Sequence, residues 1–280
     1  MNHPVRSVGV LGAGRLGSAL ATRLTGRLTL AVSDRDPAAA QTLARRLGVP
    51  AVAPAELAAR CEAVLVCVPP PVVADAIASC RAHATTAAPT TVFVNLATSV
   101  PTAQLRDDPR LRDLTVVALK PVCQYTAVAH GVPTVFVTPD SGQLPLLRAV
   151  VGDLDTVLLA DEKTENTIGT INRIATKAAL RACSALREEL AELGADPALV
   201  AAAVTNVFAG TAVDFPPDPA NPYTAALLSE LAATGNGLAS GNGSDTGNGP
   251  DTGNGPDTRI NSTATSARSV GGAVHPAARP

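Results

Sequence analysis

Three glycines near the N-terminus have the spacing of a phosphate-binding loop. The apolar run Val8–Leu11 leads into a stretch that fits G-x-G-x-x-G, namely Gly12, Ala13, Gly14, Arg15, Leu16 and Gly17. The first glycine of this pattern permits a tight turn, the second lets the backbone approach a pyrophosphate, and the third lets the next helix pack on the strand. The free N–H groups at the helix start attract phosphate oxygens. The stretch therefore predicts a dinucleotide site, with a purely structural turn as the alternative.

Charged residues follow the next apolar run, which spans residues 28–32. Asp34 stands near the position, roughly 20 residues past the glycines, where an acidic side chain binds the ribose hydroxyls of NAD. A carboxylate there repels a 2′-phosphate, whereas Arg35 could form charge-assisted hydrogen bonds with one. These residues therefore leave NAD(H) and NADP(H) both open. The alternative is that Asp34 and Arg35 are solvated loop charges and that Asp36 only caps a helix.

Polar residues also stand where later apolar strands end. Ligands of parallel sheets bind beyond the carboxyl ends of the strands, which selects Val68 and Pro69 as cofactor-binding residues and Asn95 and Lys120 as catalytic candidates. Asn95 is predicted to hydrogen-bond substrate or nicotinamide, or else to be a satisfied core amide. Lys120 is predicted to hold a substrate carboxylate or to donate a proton, or else to be a solvated loop lysine.

A lysine in the second half of the chain is a further catalytic candidate. The sequence contains only three lysines among 22 basic residues, and lysine, unlike arginine, readily shifts its pKa and transfers a proton. Lys177 follows Thr176, which shares a helix face with Asn172 four residues earlier. We therefore expect Lys177 and Thr176 to take part in catalysis.

The order of apolar runs predicts the fold class. Strands alternate with helices up to about residue 160, which is typical of an α/β protein with a doubly wound, mostly parallel sheet. Residues 164–193 lack proline and predict one long helix, and a second helix restarts at Pro197. Because a long helix with few neighbours usually buries a face against a partner, we expect residues 161–234 to form an all-α domain that makes a homodimer. Residues 235–280 are a low-complexity tail that we expect to be disordered.

Composition excludes several functional classes. The net charge is −2 and aromatic residues make up 2%, so the sequence favours neither nucleic acid nor a membrane surface as a partner. The five cysteines form no C-x-x-C pair and read as reduced core residues, so no metal site is predicted. No leader and no membrane-spanning stretch is evident, and we expect a cytoplasmic protein that acts on a small molecule.

The order of these parts resembles the pyrroline-5-carboxylate reductase family. The resemblance covers roughly residues 5–213 and is most specific in the glycine loop and in two later stretches, 64–70 and 193–210. It implies an N-terminal Rossmann domain at residues 1–160, a C-terminal dimerisation domain, and reduction of a C=N bond with NADPH or NADH. Ser33 and Arg35 resemble the Ser-x-Arg pair that holds the 2′-phosphate in NADPH-using relatives, which gives a slight preference for NADPH.

The chain departs from the family pattern where substrate binds. The family's Lys-Pro is Pro69-Pro70, its Met-Pro-Asn-Thr-Pro is replaced by residues 120–124, and its small-residue substrate segment falls at 172–177. In the related β-hydroxyacid dehydrogenases, a helix lysine near Lys177 is the catalytic acid or base. From the resemblance as a whole, the expected function is NAD(P)H-dependent reduction of the C=N bond of a small, possibly cyclic imine. The alternatives are a dehydrogenase of the β-hydroxyacid type and a non-catalytic dinucleotide sensor or scaffold.

Overall fold

The computed structural model describes residues 7–81, 91–152, 156–218 and 220–233. The chain divides into two compact units, Met1–Asp218 and Pro219–Pro280. The predicted disordered tail, residues 235–280, lies outside the described residues. The predicted domain limits at residues 160 and 234 stay predictions.

A parallel sheet forms the centre of the first unit. Within the described residues it contains five strands, which pair in the order β2-β1-β3-β4-β5. All four pairings are parallel. The strands are short and almost wholly buried because helices cover both faces, which is why their sequences are continuous apolar runs. They are β1 (Ser7–Leu11), β2 (Thr29–Ser33), β3 (Ala63–Val66), β4 (Val92–Asn95) and β5 (Thr115–Ala118).

Five helices connect these strands and create two hydrophobic cores. One core includes Leu20 and Leu24 of the first helix, and the other includes Leu57 and Ile77. Local sequence sets some of the helix starts: Asp36 accepts a hydrogen bond from the N–H of Ala38, directly before a proline at the first helical position. The helices are α1 (Arg15–Leu24), α2 (Pro37–Leu47), α3 (Pro54–Arg60), α4 (Val73–Ser79) and α5 (Thr102–Arg106).

A second, smaller sheet follows β5. Of the described strands, three form it in the order β6-β7-β8, with β6 antiparallel to β7 and β7 parallel to β8. The sequence did not reveal β6 or α6, because three to five residues are too few to carry a periodic pattern. The elements are β6 (Lys120–Val122), α6 (Tyr125–Ala129), β7 (Val135–Thr138), α7 (Leu144–Val151) and β8 (Thr156–Leu159).

A helical region completes the first unit. Its long helix α8 (Glu162–Glu192) begins after Asp161, which caps the N–H of Thr164. It is followed by one nearly continuous helical stretch made of α9 (Pro197–Ala202), a π-helical segment (Ala203–Phe208) and α10 (Ala209–Val213). The predicted fold class, a mostly parallel α/β sheet followed by helices, is confirmed.

One helix belongs to the second unit, α11 (Pro222–Ala233). Among the described helices, none is both long enough and apolar enough to cross a lipid bilayer.

Candidate functional site

The glycine loop joins β1 to α1 in a conformation that requires two of its glycines. Gly12 has a φ of +109°, a region that side-chain-bearing residues rarely adopt, and a Cβ there would lie 2.6 Å from the carbonyl oxygen of Cys67. A Cβ on Gly17 would collide with the carbonyl oxygen of Gly12. The loop therefore packs against α1 and the end of β3 too closely for side chains at Gly12 and Gly17.

The middle glycine faces open space instead. Apart from Gly14 and its two chain neighbours, no described residue has an atom within 4 Å of the position that a Cβ of Gly14 would take. Gly14 is also the N-cap of α1, and no side chain caps the helix there. The first N–H groups of α1 are thus left for an external acceptor, and a diphosphate fits such a helix start in shape and charge.

A cavity of about 570 Å³ opens beside this loop and extends toward α4. Six of the nucleotide-site residues predicted from the sequence line it: Gly12, Gly14, Asp34, Arg35, Val68 and Pro69. Of the other predicted residues, Ala13 and Leu16 are half-buried and pack against the core, and Arg15 is exposed. The structure therefore brings the end of β2 and the end of β3 together at the glycine loop.

Two backbone N–H groups hold the side chain of Asp34, which lines this cavity. Its Oδ2 accepts a 2.6 Å hydrogen bond from the N–H of Ala13, and its Oδ1 accepts one of 2.8 Å from the N–H of Asp36. Ser33, in contrast, is fully buried, and its hydroxyl has no hydrogen-bond partner among the described atoms. Asp34 thus lines the cavity with its carboxylate fixed by backbone N–H groups, whereas Ser33 is buried and does not line the cavity.

The exposed side chain of Arg15, in the first turn of α1, contacts the start of α6. The guanidinium carbon of Arg15 stands 5.3 Å from the ring centroid of Tyr125, at the start of α6. This cation–π contact joins the first turn of α1 to the first turn of α6. It places a positive charge near the helix start where a diphosphate would bind.

Two polar residues predicted to contact substrate are buried. The amide nitrogen of Asn95 donates to the carbonyl of Val100 and to the hydroxyl of Thr102, each over 3.0 Å, and its oxygen accepts from the N–H of Ala97. Asn95 is fully buried. Its polar atoms therefore shape the loop after β4.

Lys120 is buried beside Asn95, with a relative exposure of 1%. Its Nζ donates to the carbonyls of Ala97 (2.8 Å) and Val100 (2.9 Å) and lies 3.4 Å from Oε1 of Glu165. Burial lowers the pKa of Lys120 to about 8, against the opposing effect of the Glu165 charge. The amine is therefore charged at neutral pH and has an acceptor for each of its three N–H donors.

The sequence did not single out Glu165 as a site residue. It stands in the first turn of α8, where an acidic residue ordinarily interacts with the helix dipole, so its type and position carry no special signal. In the structure it is 3% exposed and also accepts a hydrogen bond from the N–H of Thr102.

The candidates on α8 lie near β6, the first strand of the second sheet. Thr176 accepts a 2.6 Å hydrogen bond from the side chain of Gln124, and Asn172 donates to the carbonyl of Pro121. Lys177 is exposed, and the described structure gives it no hydrogen bond or ion pair. The structure therefore brings Thr176 to the loop after β6 and leaves Lys177 on the outer surface of the helix.

The described residues contain no cluster of side chains that could hold a metal ion. The thiol of Cys67, which lines the nucleotide cavity, has its pKa raised to about 12 by burial. It is a protonated wall residue at neutral pH and no nucleophile.

The N-terminal segment matches a known protein family. Residues 7–92 match the family model described as NADP oxidoreductase coenzyme F420-dependent. This segment runs from β1 to the start of β4 and contains the glycine loop, Asp34 and Arg35. No curated protein matches the sequence significantly.

Solved structures share the fold over most of the chain. A pyrroline-5-carboxylate reductase from Coxiella burnetii matches with a TM-score of 0.62 at 14% identity, over 84% of this chain and 92% of that one. Pyrroline carboxylate reductase from Plasmodium falciparum, solved with NADP bound, matches with a TM-score of 0.58 at 13% identity, over 84% of this chain and 92% of that one. The resemblance predicted from the sequence is thus confirmed at the level of fold.

A dehydrogenase is also similar. Mycobacterium tuberculosis 3-hydroxyisobutyrate dehydrogenase, solved with L-serine, matches with a TM-score of 0.54 at 16% identity, over 82% of this chain and 88% of that one. At such identities the likeness establishes the fold alone. The fold is therefore shared by proteins named as pyrroline carboxylate reductases and by one named as a hydroxyisobutyrate dehydrogenase.

Proposed function

We propose that this chain is an NAD(P)H-dependent oxidoreductase that reduces a C=N bond of a small imine. One observation carries the proposal. At Gly14 the start of α1 has no side-chain cap and faces open space, and this position borders the cavity that Asp34 and Arg35 line. We call this helix start the cradle. The N–H groups of α1 would hold the diphosphate, and Asp34 would hold the adenosine ribose. A nicotinamide dinucleotide bound there supplies the hydride.

A substitution at Gly14 tests this cradle. Gly14→Val places a side chain where no protein atom lies, at a φ of −70° that valine adopts, so the variant should fold while the diphosphate is displaced. Calorimetric titration should show NADH affinity reduced at least about 30-fold. Gly142→Val, also in open space, is the matched control and should bind as wild type does. Well-folded wild-type protein that takes up neither NADH nor NADPH would refute the proposal.

For the cofactor we propose NAD(H), which reverses the slight preference for NADPH drawn from the family resemblance. Two backbone N–H groups fix the Asp34 carboxylate in the lining of the cavity, where its charge would oppose a 2′-phosphate. The Ser33 hydroxyl, which the Ser-x-Arg pattern would contribute, is buried. Among Ser33, Asp34 and Arg35, it is Arg35 that supports NADPH, because its side chain lines the same cavity.

The state of the lysines supports an imine over a carbonyl substrate. A carbonyl that becomes an alkoxide needs a proton donor in the transition state, whereas an iminium nitrogen arrives already protonated. Lys120 is fully engaged with two carbonyls and a carboxylate, and Lys177 is exposed. The chain's contribution to imine reduction is then to bind and orient the substrate, which by itself supplies a large part of the rate.

Two alternatives remain from the sequence. The position of Lys177 one residue after Thr176, which contacts the loop after β6, supports a dehydrogenase of the β-hydroxyacid type. A non-catalytic dinucleotide sensor is the other. Oxidation of NADH and NADPH by cyclic imines or ketoacids, together with reduction of NAD+ and NADP+ by 3-hydroxyacids, separates the three, because a sensor binds the cofactor without turnover on any of them.

We also propose that two copies of the chain associate through α8 and the helices that follow it. Only Glu165 and Ile168 of its 31 residues are buried, and Ile171 and Ile174 are 43% and 62% exposed. A groove of about 440 Å³ between α8 and the helical stretch that begins with α9 is likewise open. Basic residues lie in the middle of α8 and acidic ones near its end, so an antiparallel second copy can bring opposite charges together, with Arg173 opposite Glu192.

A further inference from the structure

The loop between β4 and α5, residues 96–101, lies at the sheet edge where a substrate would bind. We call it the β4–α5 loop. The carboxyl ends of parallel strands are the ligand side of such a sheet, so this loop borders the space expected for the reacting groups. Its conformation is set from inside by Asn95, which bonds Ala97 and Val100.

One side chain connects this loop to the long helix. The Nζ of Lys120 reaches the carbonyls of Ala97 and Val100 in the β4–α5 loop and, on its third side, the carboxylate of Glu165 on α8. Glu165 in turn accepts from Thr102 at the start of α5. The lysine is thus the bridge from the loop carbonyls to α8.

The helix and the loop also touch through their backbones. A Cβ on Gly169 would lie 2.7 Å from the carbonyl oxygen of Thr98, so only glycine permits this approach of α8 to the loop. Gly169 stands one turn beyond Glu165 on α8. The contact at Thr98 and the bridge at Lys120 hold the same loop against the same end of the helix.

We infer that Lys120 is a positioning residue that, through Glu165, fixes the β4–α5 loop against the first turns of α8 and so sets the wall of the substrate space. This inference rests on the proposed reductase function. It differs from the catalytic role expected from the sequence, because Lys120 acts through the loop and has no free donor for a substrate. A buried ion pair is a costly way to stabilise a core, whereas its fixed geometry is well suited to hold two elements in one arrangement.

Two variants separate positioning from stability. Lys120→Met keeps the volume but leaves the Glu165 carboxylate buried without its cation. Lys120→Met combined with Glu165→Gln removes that charge and keeps an acceptor for the N–H of Thr102, so its urea midpoint should return most of the way to that of wild type. The bridge to Ala97 and Val100 is absent from both variants. Lys163→Met, at an exposed lysine of the first turn of α8, is the matched control.

The readouts are hydrogen exchange, NADH affinity and turnover of 1-pyrroline-5-carboxylate, all on the full chain. In the double variant we expect amides of the β4–α5 loop to exchange at least about tenfold faster, those of β1 to be unchanged, and NADH affinity to stay within about twofold of wild type. We expect kcat to fall at least about 30-fold with the KM for NADH unaltered. Restored stability with loosened loop and lost turnover supports positioning.

Other outcomes overturn the inference. If the double variant regains both loop protection and turnover, the pair serves stability only. If exchange rises equally in β1 and in the loop, Lys120 supports the core as a whole. Wild-type protein that binds no NADH would refute the proposed function instead, and the exchange data would still decide whether Lys120 holds the loop.

Discussion

The Asp34 carboxylate accepts a 2.6 Å hydrogen bond from the N–H of Ala13, inside the glycine loop. The end of β2 is thereby joined to the turn after β1, and the charge of Asp34 is fixed beside the loop. Cofactor choice at this cavity is therefore expected to depend on one carboxylate whose position does not adjust to the ligand.

Replacement of Asp34 should alter that choice. Asp34→Ser removes the negative charge that opposes a 2′-phosphate and leaves Arg35 free to bind it, so the ratio of kcat/KM for NADPH over NADH should rise about 10- to 100-fold. Steady-state kinetics with both cofactors measures this. Asp36→Ser, which replaces the exposed cap of α2, is the control and should leave the ratio unchanged. An unchanged ratio in Asp34→Ser would remove Asp34 from cofactor selection.

The stability contributed by Lys120 should depend on pH. Its pKa is about 8 in the folded chain against 10.5 for an ordinary lysine, so between these pH values the unfolded chain binds more protons and the free energy of unfolding rises with pH. The full shift corresponds to about 3 kcal/mol. Below pH 8 this gain is lost. The groups that act on its charge are Glu165 on α8, Asp140 after β7 and Arg106 on α5.

Comparison with Lys120→Met isolates this effect from the buried thiols, whose raised pKa values act in the opposite direction above pH 9. Near pH 7 the single variant should be less stable by about 3–5 kcal/mol, because Glu165 is left buried and unpaired. Urea unfolding at pH 7 to 10 measures both quantities. A difference between wild type and variant that stays flat over this range would contradict the assigned pKa.

Lys177→Ala distinguishes the two redox chemistries. For an imine reductase we expect at most about a tenfold loss of kcat, because the substrate nitrogen brings its own proton. For an alcohol-forming dehydrogenase the loss should reach about 10²–10⁴-fold, and the pH profile should change with it. Lys163→Ala, on the same helix, should have no effect. Turnover equal to wild type on every substrate would exclude Lys177 from both schemes.

Association through α8 should be sensitive to charge on its apolar face. Ile174 is 62% exposed in the single chain, and Ile174→Glu would bury a carboxylate in the proposed interface. Light scattering after size exclusion should give a dimer for wild type and a monomer for this variant. Lys163→Glu, in the exposed first turn of α8, should remain dimeric. Monomeric wild-type protein at micromolar concentration would rule out the assembly.

The sequence by itself determined the glycine loop, the α/β class and the long helix. Each follows from a local pattern: glycines that alone fit a turn at a φ of +109°, apolar runs buried on both faces, and a stretch of α8 without proline. Each pattern depends on residues that are close in the chain, so it can be recognised without knowledge of the fold. The strand β6 was not predicted, because three residues are too few to show a hydrophobic period.

Only the tertiary structure decided what the polar residues contact. Lys120 finds its acceptors in Ala97, Val100 and Glu165, residues separated from it by 20 or more positions in the chain, and Asp34 meets Ala13 over 21. Nothing in a residue's type reveals such distant partners. Because burial and pairing decide whether an amine can reach a substrate, the sequence named Lys120 while the fold set what Lys120 can do.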